Sequence, residues 1–107
     1  MKPMLIEPEH FNQKLSEGEI KANSVIDVRE MPEWNYYHLE ETIHIPMNTI
    51  PEKMNGLDKE ETLYVICAHG VRSAAVCDYM AKNGFIKVIN VEGGMAAIAE
   101  LRGFSYD

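Results

Sequence analysis

Seven consecutive residues, Cys67-Ala68-His69-Gly70-Val71-Arg72-Ser73, bring a thiol, a glycine, a guanidinium and a hydroxyl into one short stretch. Together these types support nucleophilic chemistry: a thiol that ionises, backbone N–H groups that hold an anion, and a cation beside them. A free thiol of pKa ~8.5 is only about 3% thiolate at pH 7 and needs roughly 1.5 units of depression to reach half. A helix dipole worth ~0.3–1 kcal/mol supplies well under one unit. Several N–H donors to sulfur, with a cation such as Arg72, are needed to make up the difference. Cys67 is therefore the candidate nucleophile, Ala68 to Arg72 the candidate anion cradle and Arg72 its electrostatic support, with Ser73 completing the loop. The competing reading of Cys67 is a small apolar residue ending a strand, but Gly, Arg and Ser packed into the next six positions are hard to explain as core filler.

An element on each side must position this loop. Leu63 to Ala68 is an apolar run with the β-branched content of a buried strand, and 72–83 has the spacing of a helix stopped by Gly84. At the carboxyl end of a parallel strand the chain turns into a helix N-terminus, where unpaired N–H groups converge on an anion. Further strands are expected at 24–28, 62–66 and 87–91, with 4–6 at an edge. Helices are expected at 8–17, 33–37, 51–56 and 95–102. Cys77 lies on a stripe with Ala74 and Ala81, which marks it for packing rather than chemistry. Strands alternating with helices imply a parallel α/β sheet covered on both faces.

With 107 residues the chain is expected to form one domain, 1–107, and its 46% apolar and 25% charged residues are those of an ordinary globular protein. Its formal charge of −7 argues against nucleic acid or an anionic membrane as partner. The longest apolar run is six residues, against the ~18 or more of a membrane span. Three apolar residues before Glu7 are too few for a signal peptide's apolar stretch, so a cytoplasmic, reducing location is expected. Charge is uneven: residues 30–61 hold eight acids and two bases, whereas 62–91 hold one acid and three bases. His10, His38, His44 and His69 show no metal-ligand spacing, so no metal is expected.

The loop resembles the C-x-x-G-x-R-S active-site loop of rhodanese-like sulfurtransferases, and other matches follow in order. Ile26-Asp27-Val28-Arg29-Glu30 resembles the family's I-D-V-R-E signature, Ile45-Pro46 the end of its A-x-x-I-P segment, and Gly84-Phe85 and Gly93-Gly94 its closing G-F and G-G signatures. The resemblance, over residues 4 to 106, implies an α/β rhodanese-like fold with a five-stranded, mainly parallel sheet and helices on both faces. It implies a sulfurtransferase in which Cys67 takes the outer sulfur of a donor such as thiosulfate, becomes a persulfide, and passes the sulfur to a nucleophilic acceptor. The implied partners are a small anionic sulfur donor and a thiol or cyanide acceptor, including a partner protein's cysteine. No cofactor is implied beyond the covalent persulfide. By the same resemblance Asp27 and Arg29 are polar partners near the site; a charged-pair scaffold fits them equally well. His69 fits either a hydrogen bond to a substrate oxyanion or a solvent-facing side chain.

Two departures stand out. Tyr37-His38-Leu39-Glu40-Glu41-Thr42 occupies the place of a G-H-I-P-G-A stretch, adding bulk at Tyr37 and charge at Glu40 where substrate would enter, and Ile98 replaces a common tryptophan. Among rivals, a phosphatase or arsenate reductase would carry C-x5-R, whereas four residues separate Cys67 from Arg72, and the missing residue removes up to ~3.5 Å of contour. A non-catalytic persulfide carrier or binding module fits the same residues, with the acidic stretch from Glu30 to Glu61 either a docking face or a solvated one. A redox pair of Cys67 with Cys77 lacks C-x-x-C spacing.

Overall fold

The computed structural model describes residues 4–107, so Met1–Pro3, part of the segment read for a leader, lie outside the described residues. The strands are β1 (Met4–Ile6), β2 (Val25–Asp27), β3 (Ile43–His44), β4 (Thr62–Ile66) and β5 (Lys87–Val91). The helices are α1 (Pro8–Ser16), α2 (Met31–Tyr36), α3 (Ile50–Lys53), α4 (Val71–Lys82) and α5 (Gly94–Leu101), with 3-10 turns at Ala22–Ser24, Met47–Thr49 and Met54–Gly56. Among the described residues no helix is long and apolar enough to cross a membrane.

All strands pair in parallel, in the order β1-β5-β4-β2-β3. The chain steps outward from β2 to β3 and then returns to the other side of β2 to lay down β4. That reversal makes a crevice between the carboxyl ends of β2 and β4, where α/β sheets bind ligands. The residues following β2 and those following β4 face each other across it.

Alternation along β4 sorts the core. Leu63, Val65 and Cys67 point to one cluster with Val76, Cys77 and Met80 of α4 and Ile50 of α3. Ile66 points to the opposite cluster with Phe11 of α1 and Met95 and Ile98 of α5, and half-buried Tyr64 packs there too. A period-two strand between two apolar layers gives both faces buried, as the sequence implies. Ile98, fully buried, fills the place of the common tryptophan as an ordinary core side chain. On α4 the buried line runs through Ser73, Val76, Cys77 and Met80, with Ala74 and Ala81 half-buried at its flanks.

The departing stretch has a visible backbone consequence. Glu41, at the second glycine of the G-H-I-P-G-A pattern, has φ 65, the one positive value at a non-glycine residue among those described. An L side chain there costs about 1–2 kcal/mol relative to a right-handed conformation. Glycine relieves this but loses more entropy on folding, so Glu41→Gly is expected to stabilise the protein by a net ~0.5–1 kcal/mol. A rise in thermal midpoint of a few degrees would show it, and a fall would show that the Glu41 side chain contributes more than its backbone costs.

Candidate active site

Sulfur lies where the sheet geometry predicts. Cys67 directly follows β4 on the α4 side, 1% exposed, and Gly70, at φ 97, turns the chain into α4 so that its N–H donates to Cys67 Sγ at 3.1 Å. Ser73 Oγ, one turn into the helix, lies 3.2 Å from the same sulfur. Burial pushes the Cys67 thiol up, but the hydroxyl and N–H of Ser73 and the N–H groups of Gly70 and His69 outweigh it, leaving the thiol below its ordinary value. Cys77 is the opposite case: burial, with repulsion from Cys67, pushes it up to about 12. One cysteine is tuned toward the thiolate and its neighbour is held as an inert thiol.

The closing glycines hold the loop from behind. The N–H groups of Met95 and Ala96, in the first turn of α5, donate to the carbonyls of Cys67 (2.7 Å) and Ala68 (3.0 Å). With those carbonyls drawn backward, the following N–H groups are free to face the sulfur. Only glycine permits this approach at position 94, where φ is 62 and a Cβ would sit 2.5 Å from the Cys67 carbonyl oxygen.

Arg72 does not reach the sulfur by a hydrogen bond. Its Nη1 and Nη2 each donate to one carboxylate oxygen of Glu33 at 2.8 Å, joining α4 to α2 across the crevice. The guanidinium still interacts favourably with Cys67 through space, but Glu33 offsets most of its charge. The positive potential at the loop therefore comes more from the N–H groups than the local count of bases suggests. Glu33 also accepts the Glu30 N–H at 3.0 Å, capping α2. Sequence reasoning missed Glu33; the capping-box spacing Glu30-x-x-Glu33 was the available signal.

The bond from Arg72 holds the Glu33 carboxyl down at about 2, against an ordinary 4.5. A depressed carboxylate contributes stability that is complete above its unfolded pKa and lost as pH falls through its folded one. The stability difference between the protein and Glu33→Gln is thus expected to hold constant from pH 7 to about 5 and shrink between 4.5 and about 2. The pair is about one-third exposed, so solvent screening keeps the plateau near ~1 kcal/mol. Urea titrations across that range measure it; a difference that changes between pH 5 and 7 would contradict the assignment.

Asp27 and Arg29 are both fully buried and form an ion pair at 2.8 Å. Both side chains are engaged with each other and closed off from the surface, the arrangement a charged-pair scaffold requires. His69 faces outward, 58% exposed, with Nε2 3.2 Å from Asp107 Oδ2. Val71 is 78% exposed at the start of α4 and Ala68 is buried. Tyr37 stacks on Phe104 at 4.4 Å and its carbonyl accepts from Arg29, so the bulk at this position is engaged with the last residues of the chain. Sequence reasoning also passed over Asn90 on β5, buried on the sulfur's side of the sheet, which binds both Ser73 Oγ and the Gly70 carbonyl. A polar residue inside the otherwise apolar run 88–91 was its signal.

The family model described as Rhodanese-like domain matches residues 7–101. The provisionally named sulfurtransferase YtwF of Bacillus subtilis strain 168 is 48% identical over 73 residues, which are 68% of this chain and 70% of that protein. Thiosulfate sulfurtransferase GlpE of Shewanella oneidensis is 26% identical over 86 residues, 80% of this chain and 85% of its own. Among solved structures, a rhodanese-like domain protein from Staphylococcus aureus superposes with a TM-score of 0.80 at 39% identity, covering 89% of this chain and 90% of the other.

Proposed function

The chain belongs to the rhodanese-like domain family, and from that membership we propose that it moves a sulfane sulfur from thiosulfate, or a related persulfide donor, to a nucleophilic acceptor through a persulfide on Cys67. The observation that carries the reading is the sulfur itself: Cys67 Sγ is buried at a strand-to-helix junction, receives the Gly70 N–H at 3.1 Å and has its pKa lowered by the loop. The name of the Shewanella oneidensis relative supports thiosulfate as donor.

In the first step the Cys67 thiolate attacks the outer sulfur of thiosulfate. A Cys67 S–S bond forms as the donor's S–S bond breaks, and sulfite leaves with the electron pair. One thiolate and one thiosulfate dianion become one persulfide anion and one sulfite dianion, so no proton or external oxidant is needed. In the second step cyanide attacks the terminal sulfur, thiocyanate departs, and the thiolate returns with its charge. A thiol acceptor proceeds the same way after losing its proton. The loop N–H groups hold the persulfide's terminal charge, and Arg72, fixed by Glu33, keeps the loop in shape. These steps involve no metal or organic cofactor.

The small loop suits one sulfur atom better than a phosphate. Arg72 is bonded bidentately to Glu33 rather than turned into the cradle, which also disfavours the phosphatase reading. The burial of Cys67 favours one second reading, a persulfide carrier loaded by a partner protein for which free thiosulfate is a poor donor. Intact mass spectrometry after thiosulfate treatment separates them. One added sulfur, mapped to Cys67 and released by cyanide as thiocyanate, is expected; loading only by a protein persulfide would favour the carrier, and loading by neither would sink both.

A further inference from the structure

Asn90 stands on β5, paired in register with Val65 of β4, and is 4% exposed. Its Nδ2 donates to the Gly70 carbonyl at 3.1 Å, and its Oδ1 accepts the Ser73 hydroxyl in a short hydrogen bond. The amide cannot be reversed, because Oδ1 would then face a carbonyl oxygen with no proton between them. Ser73 Oγ also lies 3.2 Å from Cys67 Sγ. A hydroxyl has one proton, and here two acceptors compete for it.

We infer that Asn90 is a positioning residue that sets the reactivity of Cys67 by drawing the Ser73 proton away from the sulfur. While Sγ is neutral, as a thiol or as the inner sulfur of a persulfide, it is a weak acceptor and the Ser73 proton rests on Asn90 Oδ1. When Sγ is a thiolate, the proton turns to the sulfur and a buried amide oxygen loses its donor. Asn90 therefore favours the neutral states of Sγ over the free thiolate. The persulfide half of this statement rests on the proposed sulfur transfer, and the thiol half does not.

The other titratable groups around Cys67 are constant through the comparison. Arg72 and Cys77 approach from α4, Glu33 from α2 is bonded to Arg72, and the His69 side chain is turned out to Asp107. Neither Asn90 nor Ser73 carries a charge, so removing them leaves the net charge around the sulfur unchanged.

The test is a double-mutant cycle read on the Cys67 thiolate, followed by its ultraviolet absorbance against pH. Cys77, at about 12, stays outside the window. Asn90→Leu removes the competing acceptor, and the midpoint is expected to fall by about one unit, the difference between a neutral and a charge-assisted hydrogen bond. In a Ser73→Ala background the same substitution is expected to shift the midpoint much less, leaving only what passes through the Gly70 carbonyl that Asn90 also holds. Asn90→Ala, which adds no bulk, serves where leucine prevents folding. Equal shifts in both backgrounds, or none in either, would overturn the inference, because a merely structural Asn90 acts without Ser73. This titration needs no sulfur donor, so its failure is separate from a failure of sulfur loading. Where loading occurs, Asn90→Leu should also discharge its persulfide to cyanide several-fold faster, since a less basic thiolate leaves more readily.

Discussion

Cys67→Ser is expected to reduce thiocyanate formation from thiosulfate and cyanide to background, a loss of at least about 10³-fold, while leaving the protein folded. The substitution exchanges a thiol tuned below its ordinary pKa for a hydroxyl that stays protonated at any working pH. Its oxygen still accepts the Gly70 N–H that the sulfur accepts at 3.1 Å, and it occupies less of a site that is 1% exposed. Loss of stability should therefore be small, on the order of 1 kcal/mol. The useful contrast is with Cys77→Ser, which places a hydroxyl in the apolar cluster without touching the loop. That variant should lose stability and keep its turnover per folded molecule. Sulfur release from Cys67→Ser at the parent rate would show that the thiolate is not the attacking group.

Much of this architecture was legible because long apolar runs admit few alternatives. Strands β4 and β5 fall on the expected 62–66 and 87–91, since short runs dominated by β-branched and apolar residues fit the two-sided burial of a central parallel strand. Strand β3 was not read: two residues, Ile43 and His44, carry no period, and they form a strand only because Ile26 and Asp27 lie beside them. Helix α2 starts at Met31, two residues before the expected Glu33, because Pro32 fits the first turn and Glu33 turns back to cap it. The loop around Cys67 was readable for the same reason as β4, being local. The partners that set its behaviour were not. Glu33 is 39 residues from Arg72, and Asn90 is 17 from Ser73, distances that only the strand order closes.

The charge arithmetic shows the same limit. The net positive balance of residues 62–91 suggested a local field that favours anions. Folding brings Glu33 onto Arg72, and the local field is weaker than the segment implies. What remains uncancelled is a set of N–H groups at the end of β4, which carry partial charge without any counter-ion. For the proposed sulfur transfer, such a site suits a single small anionic atom at short range and has little reach toward a polyanion.

Arg29→Met is the substitution expected to damage the fold most. Every N–H of this guanidinium is used: Nε and Nη2 donate to Asp27 at 2.9 and 2.8 Å, Nη2 to the Tyr37 carbonyl at 2.7 Å, and Nη1 to the Glu33 carbonyl at 3.2 Å and the Tyr106 hydroxyl at 2.9 Å. The residue thus ties the end of β2 to α2, to the stretch that follows it, and to the last residues of the chain. Methionine fills similar space and supplies no donor, so the carboxylate of Asp27 is left buried and unpaired, at a cost of about 3–5 kcal/mol. Against a total of about 5–15 kcal/mol, that lowers the thermal midpoint by upward of ~15 °C. Arg29→Met with Asp27→Leu removes both partners and should recover part of the loss, because the unpaired charge, rather than the absent attraction, is the larger penalty. Urea unfolding of the parent protein and the two variants measures the difference; a single variant that costs under ~1 kcal/mol would mean that water reaches Asp27 and that this network is not what holds α2 against the site.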